Sequence, residues 1–416
     1  MIVSFHSVLL LRFENLDMAA PPSPSAHLAL SSSTQVGSKL WLTMAMVLRR
    51  RRPEARAERA PGAQIRPSSK PAFTRLRSAP VVLPRTQALP QHSASHSWQK
   101  EPKCLLPAFE HGGHVVSFAR VDEARAPSRG RSPVDRPPPK PLLVAAPGEH
   151  GEYPVLVFLH GYLLVNSSYS SQLFRHVASH GYIVVAPQLY TISGPDTTEE
   201  INRAAAVIGW LTGGIPSALP PGVRADLTKV SVSGHSRGGK VAFALALGHA
   251  GAKLALPLAA LVAVDPVDGV GVAKHTLPAI LTGGGGDHPL HVRSPSMVIG
   301  TGLGELPRGP LLPPCAPRGL SHEAFYDELG AACHLVARDY GHTDMMDDDV
   351  PGAMGCLTRE LCSSGGDRTP MRRFVGGATV AFLNKWVKGD GAALDGLRAQ
   401  LEQAPVALSI VDFDGD

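Results

Sequence analysis

Ser236 lies between two glycines, in the run Gly234-His235-Ser236-Arg237-Gly238. A serine oxygen acts as a nucleophile only where the chain lifts it clear of its own backbone, and a sharp strand-to-helix turn does this if the residues two positions either side carry no side chain. Gly234 and Gly238 meet that requirement. Attack on a carbonyl then calls for a base to take the serine proton, an acid to orient the base, and two N–H groups aimed at the developing negative charge. Of the 18 histidines, His342 is the expected base. It ends the stretch "HLVARDYGH", in a loop after an apolar run, and a chain of this order has its histidine last, after serine and acid. His235 points away from the site if Ser236 points into it, and His160, which closes "VLVFLH", is expected to buttress the loop after it.

Three carboxylates compete for the acid. Asp265 ends "LAALVAVD" one strand after the serine, Asp268 follows in the same loop, and Glu305 comes after "SMVIGTGLG", one strand later. The N–H groups are expected from Arg237, directly after the serine, and from Tyr162, in the loop that "FLHGYLLVN" opens. No role is assigned to the Arg237 side chain. Asp347, Asp348 and Asp349 read as a solvated loop or helix N-terminus; a metal is not expected, because nothing in this chemistry needs a cation.

Elements able to position these residues recur along the chain. An alternating stretch at 109–121 suits an antiparallel strand, and "LLVAAP" (142–147) is the next. Short apolar runs then alternate with helical stretches: strands at 153–161 and 182–189, helices over "SYSSQLFRHVASHG" and "TEEINRAAAVIGWLTGG", the strand "KVSVSG", and a helix to residue 250. Further strands are expected at 258–269, 296–304 and 333–342. Near-continuous Val/Ile/Leu strands separated by helices indicate an α/β fold: a mostly parallel sheet with helices on both faces. Residues 105–416 are expected to form this single domain. A G-x-S-x-G elbow between strand and helix is the arrangement of the α/β-hydrolases.

Residues 1–100 differ. They hold 14 Lys and Arg against 4 Asp and Glu, a balance of +10, which leaves −5 for the remainder of a chain whose formal charge is +5. The basic pI of about 9.0 therefore describes this segment, and no nucleic-acid partner is expected. Rich in Ser, Ala, Pro and Arg, it reads as a disordered transit peptide, with Met18 as an alternative start. No run approaches the ~18 apolar residues that span a bilayer. The five cysteines, an odd number without a CxxC pair, match neither a disulfide framework nor a zinc site. Cys356 and Cys362 are near enough in sequence to bridge, but buried free thiols are expected.

The blocks "FLHGYLLVNSSYSSQLFRHVASHGYIVVAPQLY", "SGHSRGG", "AVDPVDG", "MVIGTGLGE", "DYGHTDMMDDD" and "PMRRFVGGATVAFL" resemble the plant chlorophyllases, from about residue 109 through "VAFLNKWVKG". The resemblance implies hydrolysis of the ester between chlorophyll's propionate and phytol, without metal or organic cofactor, by a triad falling on Ser236, Asp265 and His342. The resemblance does not cover residues 1–100; their transit-like composition favours a plastid location, with cytosol or endomembrane as alternatives. Peripheral membrane contact would give access to such a substrate; the oligomeric state stays open. A large amphipathic substrate requires an apolar groove near the elbow, for which Leu163, Leu164 and Val165 are the first candidates, with burial in the core as the alternative reading.

Overall fold

Strand after strand in this chain is apolar on both sides of the pleat, so both faces of the sheet have to be covered. In the computed structural model, which describes residues 106–123, 137–271, 274–283, 290–310, 312–330, 332–348 and 361–413, nine strands form one sheet. They are β1 (Val116–Val121), β2 (Leu142–Pro147), β3 (Gly151–Leu159), β4 (Ile183–Pro187), β5 (Val223–His235), β6 (Leu258–Val264), β7 (Ser296–Thr301), β8 (Cys333–Ala337) and β9 (Leu408–Phe413). Their order is β1-β2-β4-β3-β5-β6-β7-β8-β9. Strands β4, β3, β5, β6, β7 and β8 are parallel neighbours. β2 runs antiparallel to both β1 and β4, and β9 antiparallel to β8.

The pleat sorts each apolar run between two cores. Leu156 and Phe158 of β3 face one core with helices α1 (Arg175–Ser179), α5 (Thr369–Leu383) and α6 (Ala392–Ala399). Val155, Val157 and Leu159 face the other, with α2 (Thr198–Gly214), α3 (Arg237–Leu247) and α4 (His322–Leu329). The expected layered α/β architecture is present. Among the described residues no helix is long and apolar enough to cross a membrane.

Several details depart from the sequence expectations. The helix expected over "SYSSQLFRHVASHG" is a π-helical turn, Ser170–Phe174, running into the short α1. β9 was not expected at all: its mixed pattern pairs because the open edge of β8 offers a hydrogen-bonding partner. Cys315 and Cys362 form a disulfide across 47 residues of sequence. The isolated bridge between Pro307 and Cys362 shows why, since the loop after β7 folds back onto the segment before α5. Proximity along the chain was the wrong guide, and the expectation of a free thiol fails at Cys362. Cys333 is a buried thiol on β8. Residues 1–100, Cys104 and Cys356 lie outside the described residues.

Register between the parallel strands aligns their carboxyl ends. Leu159 pairs with Gly234, His235 with Val264, Val264 with Ile299, and Thr301 with Ala337. The loops that follow these positions carry the candidate residues, at the end of the sheet where open α/β folds build their sites.

Candidate active site

Ser236 joins β5 to α3 with φ 58° and ψ −123°, a conformation L-residues rarely adopt. The surroundings hold it there. Its N–H donates to Val264 O (3.0 Å), and its carbonyl accepts from Lys240 N and Val267 N, both at 3.2 Å. The glycines are needed for close approach rather than for flexibility. A Cβ on Gly234 would lie 2.3 Å from the carbonyl carbon of Gly238, and one on Gly238 would lie 2.1 Å from Leu159 O. Helix α3 therefore starts hard against β3 and β5, and any larger residue would push the serine off its turn.

His342 Nε2 is 2.8 Å from Ser236 Oγ, and His342 Nδ1 is 2.7 Å from Asp265 Oδ2. A carboxylate can only accept, so Nδ1 carries the proton and Nε2 is left to accept from the serine hydroxyl. The Thr301 hydroxyl, at the end of β7, donates to the same Asp265 oxygen at 2.6 Å. Burial, the largest single influence on Asp265, pushes its pKa up. The hydrogen bond and charge of His342, with contributions from His322 and Thr301, outweigh burial and hold the carboxyl below its usual range.

The other carboxylates are engaged elsewhere. Asp268 pairs with the buried Lys240 (2.8 Å) and with His275 (2.7 Å), and accepts from the N–H groups of Ile280 and Leu281, both at 3.0 Å. Glu305 accepts from Ser321 Oγ (2.9 Å) and Arg318 Nε (3.2 Å). Of the three candidates, Asp265 is the one that meets His342.

Asp344 organises the turn carrying His342. It accepts from Gly341 N (2.7 Å), Gly365 N (2.8 Å) and Ser364 Oγ (2.5 Å), and pairs with Arg368 (3.2 Å). The reading of Asp347 as solvated fails. It is buried, with its N–H donating to Ser168 O (2.8 Å) and its carboxylate accepting from Gln172 N (3.1 Å). Asp348 pairs with Arg372 at 2.7 Å, and Asp349 lies outside the described residues. The chain returns over this turn, so a run of acids that looks exposed in sequence is needed to satisfy buried donors.

Gly161 presses against the serine from the other side, since a Cβ there would lie 3.1 Å from Ser236 Cβ. Tyr162 follows it and is 38% exposed, and Arg237 is the first residue of α3. Leu164 belongs to the core, so it is not available to line a groove; Leu163, at φ 59°, and Val165 are half-buried. His160 is held by its neighbours. Nδ1 donates to Gly161 O (2.9 Å), Nε2 accepts from Leu189 N (3.1 Å), and burial lowers its pKa to about 4.

The Arg237 side chain, without a role in the sequence reading, forms a buried fork with Glu200. Nε is 2.8 Å from Oε2 and Nη2 2.6 Å from Oε1. Its guanidinium carbon lies 5.8 Å from the Tyr162 ring centre and 5.6 Å from that of Tyr190. Glu200 sits in the first turn of α2, where acids are common at helix starts, so nothing in the sequence singled it out.

A family model for chlorophyllase matches residues 105–415. The chain belongs to the chlorophyllase family. Chlorophyllase-2 of Arabidopsis thaliana is 48% identical over 293 residues, 69% of this chain and 91% of that protein. Chlorophyllase-1, chloroplastic, of Citrus unshiu is 41% identical over 313 residues, 74% of this chain and 89% of that one. Chlorophyllase-1 of Arabidopsis thaliana is 44% identical over 290 residues, covering 69% and 86%. As a member of the family this chain is a carboxylic ester hydrolase, and the sheet described above is its α/β-hydrolase fold.

Proposed function

We propose that this chlorophyllase-family chain cleaves the phytyl ester of chlorophyll, giving chlorophyllide and phytol, with Ser236 as nucleophile, His342 as general base and Asp265 as the orienting acid. The observation that carries the assignment is His342, whose two ring nitrogens reach Ser236 at 2.8 Å and Asp265 at 2.7 Å. As Ser236 attacks the ester carbonyl, His342 takes the hydroxyl proton. The N–H groups of Tyr162 and Arg237 receive the oxyanion. His342 then protonates the departing phytol oxygen, and water, activated in the same way, releases chlorophyllide from the acyl-enzyme. Asp265 keeps the imidazole in the Nδ1–H tautomer and stabilises it once protonated. Leu163 and Val165, half-buried beside Tyr162, are the residues offered to the apolar part of the substrate.

Residues 1–100 are proposed as a leader directing the chain to a plastid, and residues 105–416 as its catalytic domain. The name chloroplastic borne by the Citrus unshiu relative supports that destination. A general lipase or cutinase-like esterase is the competing reading. Turnover of chlorophyll and of a short p-nitrophenyl ester by the purified chain separates the two: fast short-ester cleavage without chlorophyllide would overturn the proposed substrate. Ser236→Ala is expected to lower turnover by ~10⁴ to 10⁶, and unchanged turnover would overturn the nucleophile.

A further inference from the structure

The loop that carries the base and the loop that carries Tyr162 approach Ser236 from different strands, and both must be held to within a fraction of an ångström for the chemistry to work. Buried hydrogen bonds outside the Ser236–His342–Asp265 chain connect them. His235 Nε2 is 2.8 Å from the carbonyl oxygen of His342 itself. His235 Nδ1 is 2.9 Å from the hydroxyl of Tyr169, and that hydroxyl is 3.4 Å from the N–H of Gly161. The side chains of His235 and Tyr169 are 0% exposed.

Donor rules set the direction of every link. A carbonyl only accepts, so His235 Nε2 carries the ring proton and Nδ1 has a bare lone pair. The Tyr169 hydroxyl donates to that lone pair, which leaves its oxygen to accept from Gly161 N–H. The order is Gly161 N–H to Tyr169 O–H to His235 imidazole to His342 C=O, each donor pointing the same way. Burial, with the neighbouring His342, lowers the His235 pKa to about 3, so the ring stays neutral, as this pattern needs. Two further bonds tie the same segments together: Asp347 N–H to Ser168 O, and Gln172 N–H to the Asp347 carboxylate.

We infer that His235 and Tyr169 are positioning residues for the hydrolysis, forming a relay that sets the backbone of the base relative to the loop donating the Tyr162 N–H. The inference rests on the proposed roles of Ser236, His342 and Tyr162. Without the Tyr169 hydroxyl, the His235 Nδ1 lone pair is left buried without a donor, and the ring is held only through its Nε2–H bond to the His342 carbonyl. The ring, and with it the backbone of the base, would be free to shift. The buried Gly161 N–H would also lose its acceptor, one residue before Tyr162.

Tyr169→Phe keeps the ring against Phe158 (4.9 Å between centroids) and Phe174 (6.0 Å) while removing the hydroxyl. The expected result is a fall of about tenfold or more in kcat with KM within about twofold. Affinity for an alkyl boronic acid, which becomes a tetrahedral anion on the serine oxygen, is expected to fall by a similar factor. The melting temperature separates positioning from simple loss of fold, since only positioning lowers kcat and boronate affinity in a protein that melts near the wild-type value. His235→Gln retains one donor and one acceptor, whereas His235→Leu retains neither. The relay therefore requires His235→Gln to be the more active of the two per folded molecule, and this comparison stands even if Tyr169→Phe fails to fold. Wild-type kcat and boronate affinity in Tyr169→Phe, or equal activity of the two His235 variants, would overturn the relay. Ser236→Ala serves as the control: if it still turns over, the reading beneath the relay is wrong, and if it is inactive, the Tyr169 and His235 variants test the relay alone.

Discussion

Asp265 and Asp268 are three residues apart in one loop, and both are 0% exposed, yet they occupy opposite electrostatic situations. Asp265 faces a titratable partner, His342, and shares its oxygen with the Thr301 hydroxyl. Asp268 is held by the Lys240 ammonium, by His275, and by two backbone N–H groups. In the proposed reaction, the first arrangement orients the imidazole that takes the serine proton and passes it to the leaving group. The second ties down the chain between residues 268 and 281 through the Lys240 pair and two backbone N–H groups. Burial, the dominant influence, pulls Lys240 below the usual lysine range even against the charge and hydrogen bond of Asp268, so this pair anchors a loop more than it adds net stability. Two identical side chains on one loop thus separate into a proposed catalytic group and a structural one through what the adjacent strands and helix place beside them.

The sharpest way to break this contrast is to remove each charge in turn. Asp265→Asn leaves the shape and takes away the anion, and kcat is expected to fall by about 10⁴, as loss of the orienting acid does in Ser-His-Asp hydrolases. Asp268→Asn is expected to keep kcat within a few-fold in the folded protein. Equal losses in two equally stable variants would end the distinction.

Next in size is Lys240→Met, which leaves the buried Asp268 carboxylate without its lysine counter-charge. Urea unfolding is expected to show a loss of about 3–5 kcal/mol, and the Lys240→Met/Asp268→Asn double variant should recover most of it. A double variant as unstable as the single one would mean that the pair contributes through packing rather than through charge.

Acid should act first on the Asp265 side. His160 and His235 are buried neutral, with pKa values lowered by burial to about 4 and about 3, against ~6.5 in the unfolded chain. Between these values the unfolded state binds more protons, so stability falls as pH falls, by up to ~1.4 kcal/mol per pH unit for each such histidine. Melting temperature is expected to drop from pH 6.5 toward pH 4. In hydrogen exchange, amides at 341–347 should lose protection before those at 276–281. The reverse order would show that the Lys240–Asp268 anchor is the weaker region.

The smallest expected effect is at the remaining sequence candidate. Glu305 pairs with the 84% exposed Arg318, and Glu305→Gln should change kcat less than twofold and stability by less than ~1 kcal/mol. A larger change in kcat would place a second carboxylate in the reaction.

Much of this protein was legible without coordinates, and the reason is locality. Gly234, Ser236 and Gly238 announce the elbow because the turn's steric demands fall on immediate neighbours, and apolar runs between helical stretches announce a sheet covered on both faces. Misreadings cluster where contacts are distant in sequence. Asp347 looked solvated and is buried; Cys362 bonds to Cys315 across 47 residues. β9 has no strong pattern of its own and depends on the edge of β8.

By itself, then, the sequence determined the layered α/β class, the serine on its turn, and a late histidine as its expected partner, all properties of short contiguous stretches. Only the tertiary structure decided that Asp265 rather than Asp268 or Glu305 meets His342, that Arg237 forks onto Glu200, and that His235 and Tyr169 join two loops. Hydrogen bonds and ion pairs act over about 3 Å, and strand register and helix packing bring residues dozens of positions apart within that range.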